Sequence, residues 1–464
     1  MYDNPMLDNI LRSIDRGREQ SIEGLKQFLR IPSVSTDAAC AADIQRCADW
    51  LAGAIRKIGL DARVYPSAGH PVVVARNDHK PGRPTVLFYG HYDVQPPDPL
   101  DQWVTPPFEP AIRDGAIYAR GAADDKGQVW AHLQAIHHWQ ENGGLPVNLV
   151  MLIEGEEEIG SESLPAFIES HRDLLRADLA VASDTNQYAR GLPAISYGLR
   201  GIVFLEITLT GPTHDLHSGI YGGSVPNVAN VLTELLATLH DKDGRINIDG
   251  FYDDVLPLTD AERQMWRKLP FDEARFAAGL GLSPAQLVGE VGFSTLERQW
   301  ARPTCDINGM TSGYQGPGAK TIIPATASVK VSMRLVPSQD PATISRKVEE
   351  TLRRRCPATV KLEINGNTYS PPILVPRDGA PIRAAVEAYK VGFNATPTLI
   401  RCGGTLHVVP QIKSLLGIDT LLVGFGLPDD RVHSPNEKFD LDALHGGTRT
   451  AAALYRNLAK MDCL

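Results

Sequence analysis

The sequence predicts an α/β protein: a mostly parallel sheet flanked by helices, with a smaller α+β domain inserted partway along. Three observations predict it. Runs such as Thr85-Val86-Leu87-Phe88-Tyr89 and Val147-Asn148-Leu149-Val150-Met151-Leu152-Ile153 are near-continuously apolar, as strands are when both faces are covered. Helical patterns separate these runs, the alternation that builds parallel sheets. Between about residues 200 and 375 the texture changes, and afterwards it returns.

In chain order, about Met6 to Leu29 reads as helix, because Leu7, Ile10, Leu11, Ile14, Ile22, Leu25, Phe28 and Leu29 follow a 3-4 spacing. Residues 41–58 repeat the pattern, and Gly59 supplies a helix stop. Extended pieces follow at residues 61–65 and 72–75, then the buried strand at 85–89. A helix is predicted from Gln128 to Trp139, and buried strands at 147–153 and 178–182. Beyond Leu199 come a long strand at 202–210 and a helix at about 227–240. Residues 250–300 are charged, with a helical pattern and few strand signals. Residues 327–335 alternate like a strand with one wet face, followed by a helix at 343–356 and a strand at 359–364. The βα texture resumes near Pro381, with a buried strand at 420–424. The expected division is therefore 1–199 with 376–464, and 200–375 inserted between them.

A chain of 464 residues carries two or three ordinary domains. Its formal net charge of −9 argues against nucleic acid as a partner. The start, Met1-Tyr2-Asp3-Asn4-Pro5-Met6-Leu7-Asp8, has acids where a secretory signal has a basic start and an apolar run. No apolar stretch is long enough to span a bilayer. Cys40, Cys47, Cys305, Cys356, Cys402 and Cys463 form no Cys-x-x-Cys pair, which fits a reducing compartment. The expectation is a cytoplasmic protein without a membrane partner.

Five segments bear chemistry: Gly90-His91-Tyr92-Asp93, Gly121-Ala122-Ala123-Asp124-Asp125-Lys126-Gly127, Glu154-Gly155-Glu156-Glu157-Glu158, Ser183-Asp184 and His433-Ser434. Most follow an expected buried strand, and open α/β sheets bind ligands beyond the carboxyl ends of their strands. His91 and Asp93, two apart at a strand end, can point the same way, and a ligating imidazole commonly donates its other N–H to a carboxylate, a carbonyl or water. Asp124 sits in a turn of small residues, where its two oxygens can bridge two metals. Taken alone, Asp124 or Asp125 also reads as a helix N-cap. Three adjacent glutamates repel one another, a conflict that a cation removes. One of them can bind metal while its neighbour moves protons.

These residues, together with Asp215-Leu216-His217-Ser218-Gly219, Tyr221-Gly222-Gly223-Ser224, Lys320-Thr321-Ile322-Ile323-Pro324, Arg334-Leu335-Val336-Pro337 and His433-Ser434-Pro435-Asn436-Glu437-Lys438, resemble the co-catalytic zinc metallopeptidases. That family includes carnosinase-like cytosolic dipeptidases, carboxypeptidase G, aminoacylase and succinyl-diaminopimelate desuccinylase. The resemblance spans nearly the whole chain and is nearest the cytosolic nonspecific dipeptidases. It implies a zinc-peptidase catalytic domain and an inserted lid and dimerisation domain. It also implies two Zn²⁺ per subunit, one held by His91, Asp124 and Asp184 and the other by His433, Asp124 and Glu158; Mn²⁺ or Co²⁺ also suits such ligands. Glu157 becomes the general base and acid acting on a metal-bridging hydroxide, and Asp93 the partner of His91. Substrate contacts fall to His217, which acts across a homodimer interface in a shared active site, to Arg334 on the substrate carboxylate, and to Thr321, Gly404 and Thr405.

The expected activity is hydrolysis of the amide bond of dipeptides. One departure matters. The dipeptidase pattern often has an acid before the Gly-Gly pair, and here Arg401-Cys402-Gly403-Gly404-Thr405 has a cysteine. Hydrolysis of N-acyl or N-carbamoyl amino acids on the same site is therefore an alternative, and a non-catalytic binding protein a remote one.

Overall fold

The computed structural model describes residues 5–461. The first four residues of the acid-rich start and Cys463 lie outside the described residues. The chain forms two compact units: Met1–Tyr197 with Val375–Ile400 and Leu406–Leu464, and Gly198–Leu374 with Arg401–Thr405. The brief return at Arg401–Thr405 has no signature in the texture of the sequence.

The first unit is built on a mixed sheet. Seven of its strands run in the order Asp61–Tyr65, Val72–Arg76, Asn148–Glu154, Thr85–His91, Leu179–Ala182, Thr420–Val423 and Ala194–Leu199. Only the four from Asn148–Glu154 to Thr420–Val423 are mutually parallel, and the flanking pairings are antiparallel. The expected mostly parallel sheet is thus confined to the centre. Those four strands are the near-continuous apolar runs, and nearly every residue in them is buried. Helices Ala41–Lys57, Lys126–Glu141, Ala380–Phe393 and Leu441–Leu458 contribute their apolar faces to the same core.

The helix expected over Met6 to Leu29 is two helices, Pro5–Arg16 and Arg18–Leu29. Gly17 separates them, and a Cβ there would meet the His138 ring at 3.0 Å.

The second unit holds a four-stranded antiparallel sheet in the order Thr304–Ser312, Thr326–Leu335, Gly201–Thr210 and Lys361–Ser370. Along Gly201–Thr210 and Thr326–Leu335 burial alternates residue by residue, as on a sheet with one covered face. The covered face packs with helices Val228–Ala237 and Pro341–Arg355 in one apolar cluster. Residues 250–300 contribute short helices, Asp260–Arg267, Glu273–Gly279 and Thr295–Ala301.

Candidate metal centre

The parallel strands of the first unit deliver acids and imidazoles from their carboxyl ends. His91 is the last residue of Thr85–His91, Glu157 and Glu158 follow Asn148–Glu154, and Asp184 follows Leu179–Ala182. Asp124 precedes helix Lys126–Glu141. His433 comes from a turn in which Arg431, His433 and Asn436 all have positive φ, with His433 at 61°. Non-glycine residues rarely adopt that conformation, and it concentrates at functional sites. Gly90 permits close packing behind His91, since a Cβ there would press into Val129 and Asp125.

Two triplets result, His91 with Asp124 and Asp184, and Asp124 with Glu158 and His433. Within each, the donor atoms lie within 4.8 Å of one another. Asp124 belongs to both. Its Oδ1 is 3.1 Å from His91 Nε2, and its Oδ2 is 3.0 Å from His433 Nε2. Glu158 Oε2 is 3.2 Å from His433 Nε2, and Asp184 Oδ2 is 4.0 Å from His91 Nε2. Asp124 does not cap the helix. Asp125 occupies the N-cap position but makes no side-chain capping bond; its Oδ2 accepts the His91 N–H at 3.3 Å.

Electrostatics mark this cluster as short of positive charge. Burial, followed by repulsion from Asp124 and Asp125, pushes the Asp184 carboxyl well above its usual range. Burial also raises Glu158, and it raises Glu157 to about 8, with Asp124 and Glu158 adding repulsion. Hydrogen bonds to Asp124 and Glu158 raise His433 to about 10. For His91 burial opposes the imidazolium, yet bonds to the Asp124 and Asp93 carboxylates hold its proton well above the ordinary range. Nitrogen and oxygen donors crowded to mutual repulsion are what divalent cations of the zinc, manganese or cobalt type satisfy. The donor set fits a metal pair.

Other groups fix the donors. His91 Nδ1 is 3.1 Å from the backbone carbonyl of Asp93 and 3.4 Å from its carboxylate. That carboxylate also accepts the backbone N–H of Glu157 at 3.3 Å and of Glu158 at 3.1 Å. Glu156 turns away, accepting from the His70 N–H and the Ser163 hydroxyl, so only two of the three glutamates meet the cluster. Gln95 donates to Glu158 Oε2 at 2.9 Å. Glu437 is buried and accepts from Arg120 Nη1 at 2.7 Å and from the N–H groups of Gly121, Ala123 and Asp124 at 2.9, 2.9 and 3.2 Å. Sequence reasoning gave neither Gln95 nor Glu437 a role, although Glu437 lies four residues beyond His433.

The remaining expected site residues lie in the second unit, at two places. His217, in the short strand Leu216–His217, pairs with Ile322, and the Ser218 N–H donates to the Thr321 carbonyl at 3.1 Å. Both His217 and Thr321 are exposed. At the other place Arg334 Nη1 donates to Thr405 Oγ1 at 2.9 Å, and the Gly404 N–H points to Cys402 Sγ at 3.3 Å. Arg200, which sequence reasoning missed, joins them: its Nε donates to the Gly403 carbonyl at 2.9 Å.

A third His/Glu group, His137, His138 and Glu141, is less suited to metal. His138 Nδ1 is already 3.0 Å from the Ser13 hydroxyl, and burial, with repulsion from His137 and Arg16, lowers that imidazole to about 4.

Comparison with known proteins agrees with this architecture. Residues 87–457 match peptidase family M20/M25/M40. The chain belongs to that family and is a hydrolase of the metallopeptidase class. It is 31% identical over 474 residues to the Cys-Gly metallodipeptidase dug1 of Schizosaccharomyces pombe, covering 98% of this chain and 99% of the relative. It is 29% identical over 480 residues to the human Beta-Ala-His dipeptidase, covering 98% and 93%. The solved structure of the M20 family metallo-carboxypeptidase Sso-CP2 from Sulfolobus solfataricus superposes with a TM-score of 0.86 at 32% identity, covering 95% of this chain and 99% of that one.

Proposed function

We infer that this chain is a metal-dependent dipeptidase, working with two divalent cations per subunit, zinc by preference of the donors. The observation that carries the two-metal reading is Asp124, whose two oxygens face two different imidazoles, His91 and His433. His91, Asp124 and Asp184 would hold one ion, and Asp124, Glu158 and His433 the other. Once bound, such ions polarise the scissile carbonyl and lower the pKa of water toward about 7. The similarity to dipeptidases over 98% of this chain supports the substrate class.

The protein's own groups then do the rest. Glu157 stands outside both triplets, so it is free to take the proton of the attacking water and pass it to the leaving amine. Asp93 supports this by fixing the backbone of Glu157 and Glu158. His217 stabilises the oxyanion of the neighbouring subunit's substrate, with Thr321 beside it in sequence register. Arg334, Gly404 and Thr405 take the substrate's carboxyl end, where a planar guanidinium fits. The first unit thus serves catalysis, and the second serves as lid and dimerisation unit. Exposed Ile307 and Met310 on the edge strand Thr304–Ser312 support pairing with a second copy. A cytoplasmic setting goes with this reading, supported by the five described cysteines, all free. Among the described residues, no helix is long and apolar enough to cross a membrane.

Cys402 favours a second reading, hydrolysis of N-acyl or N-carbamoyl amino acids. It stands beside Gly403 and Gly404 and offers no carboxylate to a substrate ammonium. A screen with Zn²⁺, Mn²⁺ or Co²⁺ separates the two, pairing each of several dipeptides with its N-acetylated form. Dipeptides should be the better substrates. Faster hydrolysis of the acetylated partners would give the second reading, and inertness toward both sets would refute each.

A further inference from the structure

We propose that Arg200 is the second cation of a carboxylate seat, gripping the carboxyl end of the substrate together with Arg334. The proposal rests on the dipeptidase reading above and adds to it a residue that the sequence did not single out.

Arg200 immediately precedes strand Gly201–Thr210, whose neighbour Thr326–Leu335 carries Arg334. The register pairs Gly201 with Leu335 and Ile202 with Arg334, so both arginines lie at the same end of one sheet. The Arg401–Thr405 turn ties them together. The Arg200 N–H donates to the Cys402 carbonyl at 3.3 Å, its Nε donates to the Gly403 carbonyl at 2.9 Å, and the Thr405 hydroxyl donates to the Arg200 carbonyl at 2.6 Å. The same hydroxyl oxygen accepts from Arg334 Nη1 at 2.9 Å. Glycine at 403 makes this approach possible, because a Cβ there would stand 2.8 Å from the Gln299 carbonyl and 3.1 Å from Arg200 Nη2.

Four arginines surround the turn, and they divide into two kinds. Arg302 forms a two-pronged ion pair with Glu290, and Arg401 pairs with buried Glu262. Arg200 and Arg334 differ: among the described residues neither forms a direct ion pair with a carboxylate. Arg200 meets only the carbonyls of Gly403 and Arg302, and Arg334 only the Thr405 hydroxyl. Both are only partly exposed. Burial, followed by the repulsion of Arg334, brings Arg200 down to about 10, and burial lowers Arg334 as well. Asp306 acts on both from beyond ion-pair distance, and two partly desolvated guanidiniums without a direct ion pair are costly unless an anion joins them. Most of their N–H donors remain uncommitted, in the fork geometry that matches a carboxylate.

The test measures kcat and KM for a dipeptide and for its carboxamide, in the parent enzyme and in R200Q and R200K. The parent should prefer the free acid. R200Q should raise KM for the free acid by about tenfold or more, well beyond its effect on kcat, and shrink the free-acid preference in proportion. R200K, which keeps the charge and loses the fork, should fall between. If R200Q does not fold, the same split must appear in R200K. Equal proportional losses on acid and carboxamide would overturn the proposal, because an arginine that merely shapes the turn affects both alike. A parent enzyme indifferent to amidation would overturn the carboxylate reading of Arg334 itself, and Arg200 with it.

Discussion

The two charged regions of this protein are built in opposite senses. In the first unit His91, Asp124, Glu158, Asp184 and His433 crowd acids and imidazoles until burial drives carboxyl groups toward protonation. In the second unit Arg200 and Arg334 share a glycine turn without a carboxylate partner. Other buried arginines are paired with carboxylates, as Arg120 is with Glu437, Arg302 with Glu290 and Arg401 with Glu262. The two regions are unbalanced in opposite senses, which fits ligands of opposite sign: cations for the first region and, on the proposal above, an anion for the second.

The comparison can be broken at either end. The largest effect is expected for Glu157→Gln, since loss of general acid–base chemistry typically lowers turnover by about 10²–10⁴-fold. Near-parental kcat in this variant would assign the proton transfer to another group. Arg334→Gln comes next. Leaving the substrate carboxylate without its partner should weaken kcat/KM by roughly 2–5 kcal/mol, read against the carboxamide as control. An unchanged preference for the free acid would remove Arg334 from the anion side. The smallest is Glu437→Gln. Glu437 accepts four donors that hold the Asp124 loop, and such supporting groups typically govern about 10–100-fold of metal affinity. Titration of chelator-stripped protein with Zn²⁺ should show that loss, and parental affinity would make Glu437 a fold residue only.

The acidic region was largely legible in the sequence, and the cationic one only in part. The proposed ligand positions His91 and Asp184 lie at or just past the ends of apolar strands, and burial on both faces writes such strands plainly into the sequence. The sheet's antiparallel flanks were not legible, because alternation and apolarity do not encode direction. Strand Thr304–Ser312 was missed because it is an edge strand with five of its nine residues exposed, so it carries no alternating pattern. Arg200 was missed because an arginine before a strand looks like any surface cation. Its meaning comes from Gly403 and Thr405, some two hundred residues away in sequence. Glu437 lay inside a segment already singled out, but its four bonds to the Asp124 loop depend on tertiary approach.

The most direct test of the account is a metal count on three proteins stripped with chelator and reloaded with Zn²⁺: parent, Glu157→Gln and Asp124→Asn. Asp124 is the carboxylate common to both triplets, and Glu157 belongs to neither. The account predicts two tightly held ions per chain in the parent, two in Glu157→Gln despite its lost turnover, and fewer than two in Asp124→Asn. Two tight ions in Asp124→Asn, or a lost ion in Glu157→Gln, would contradict it.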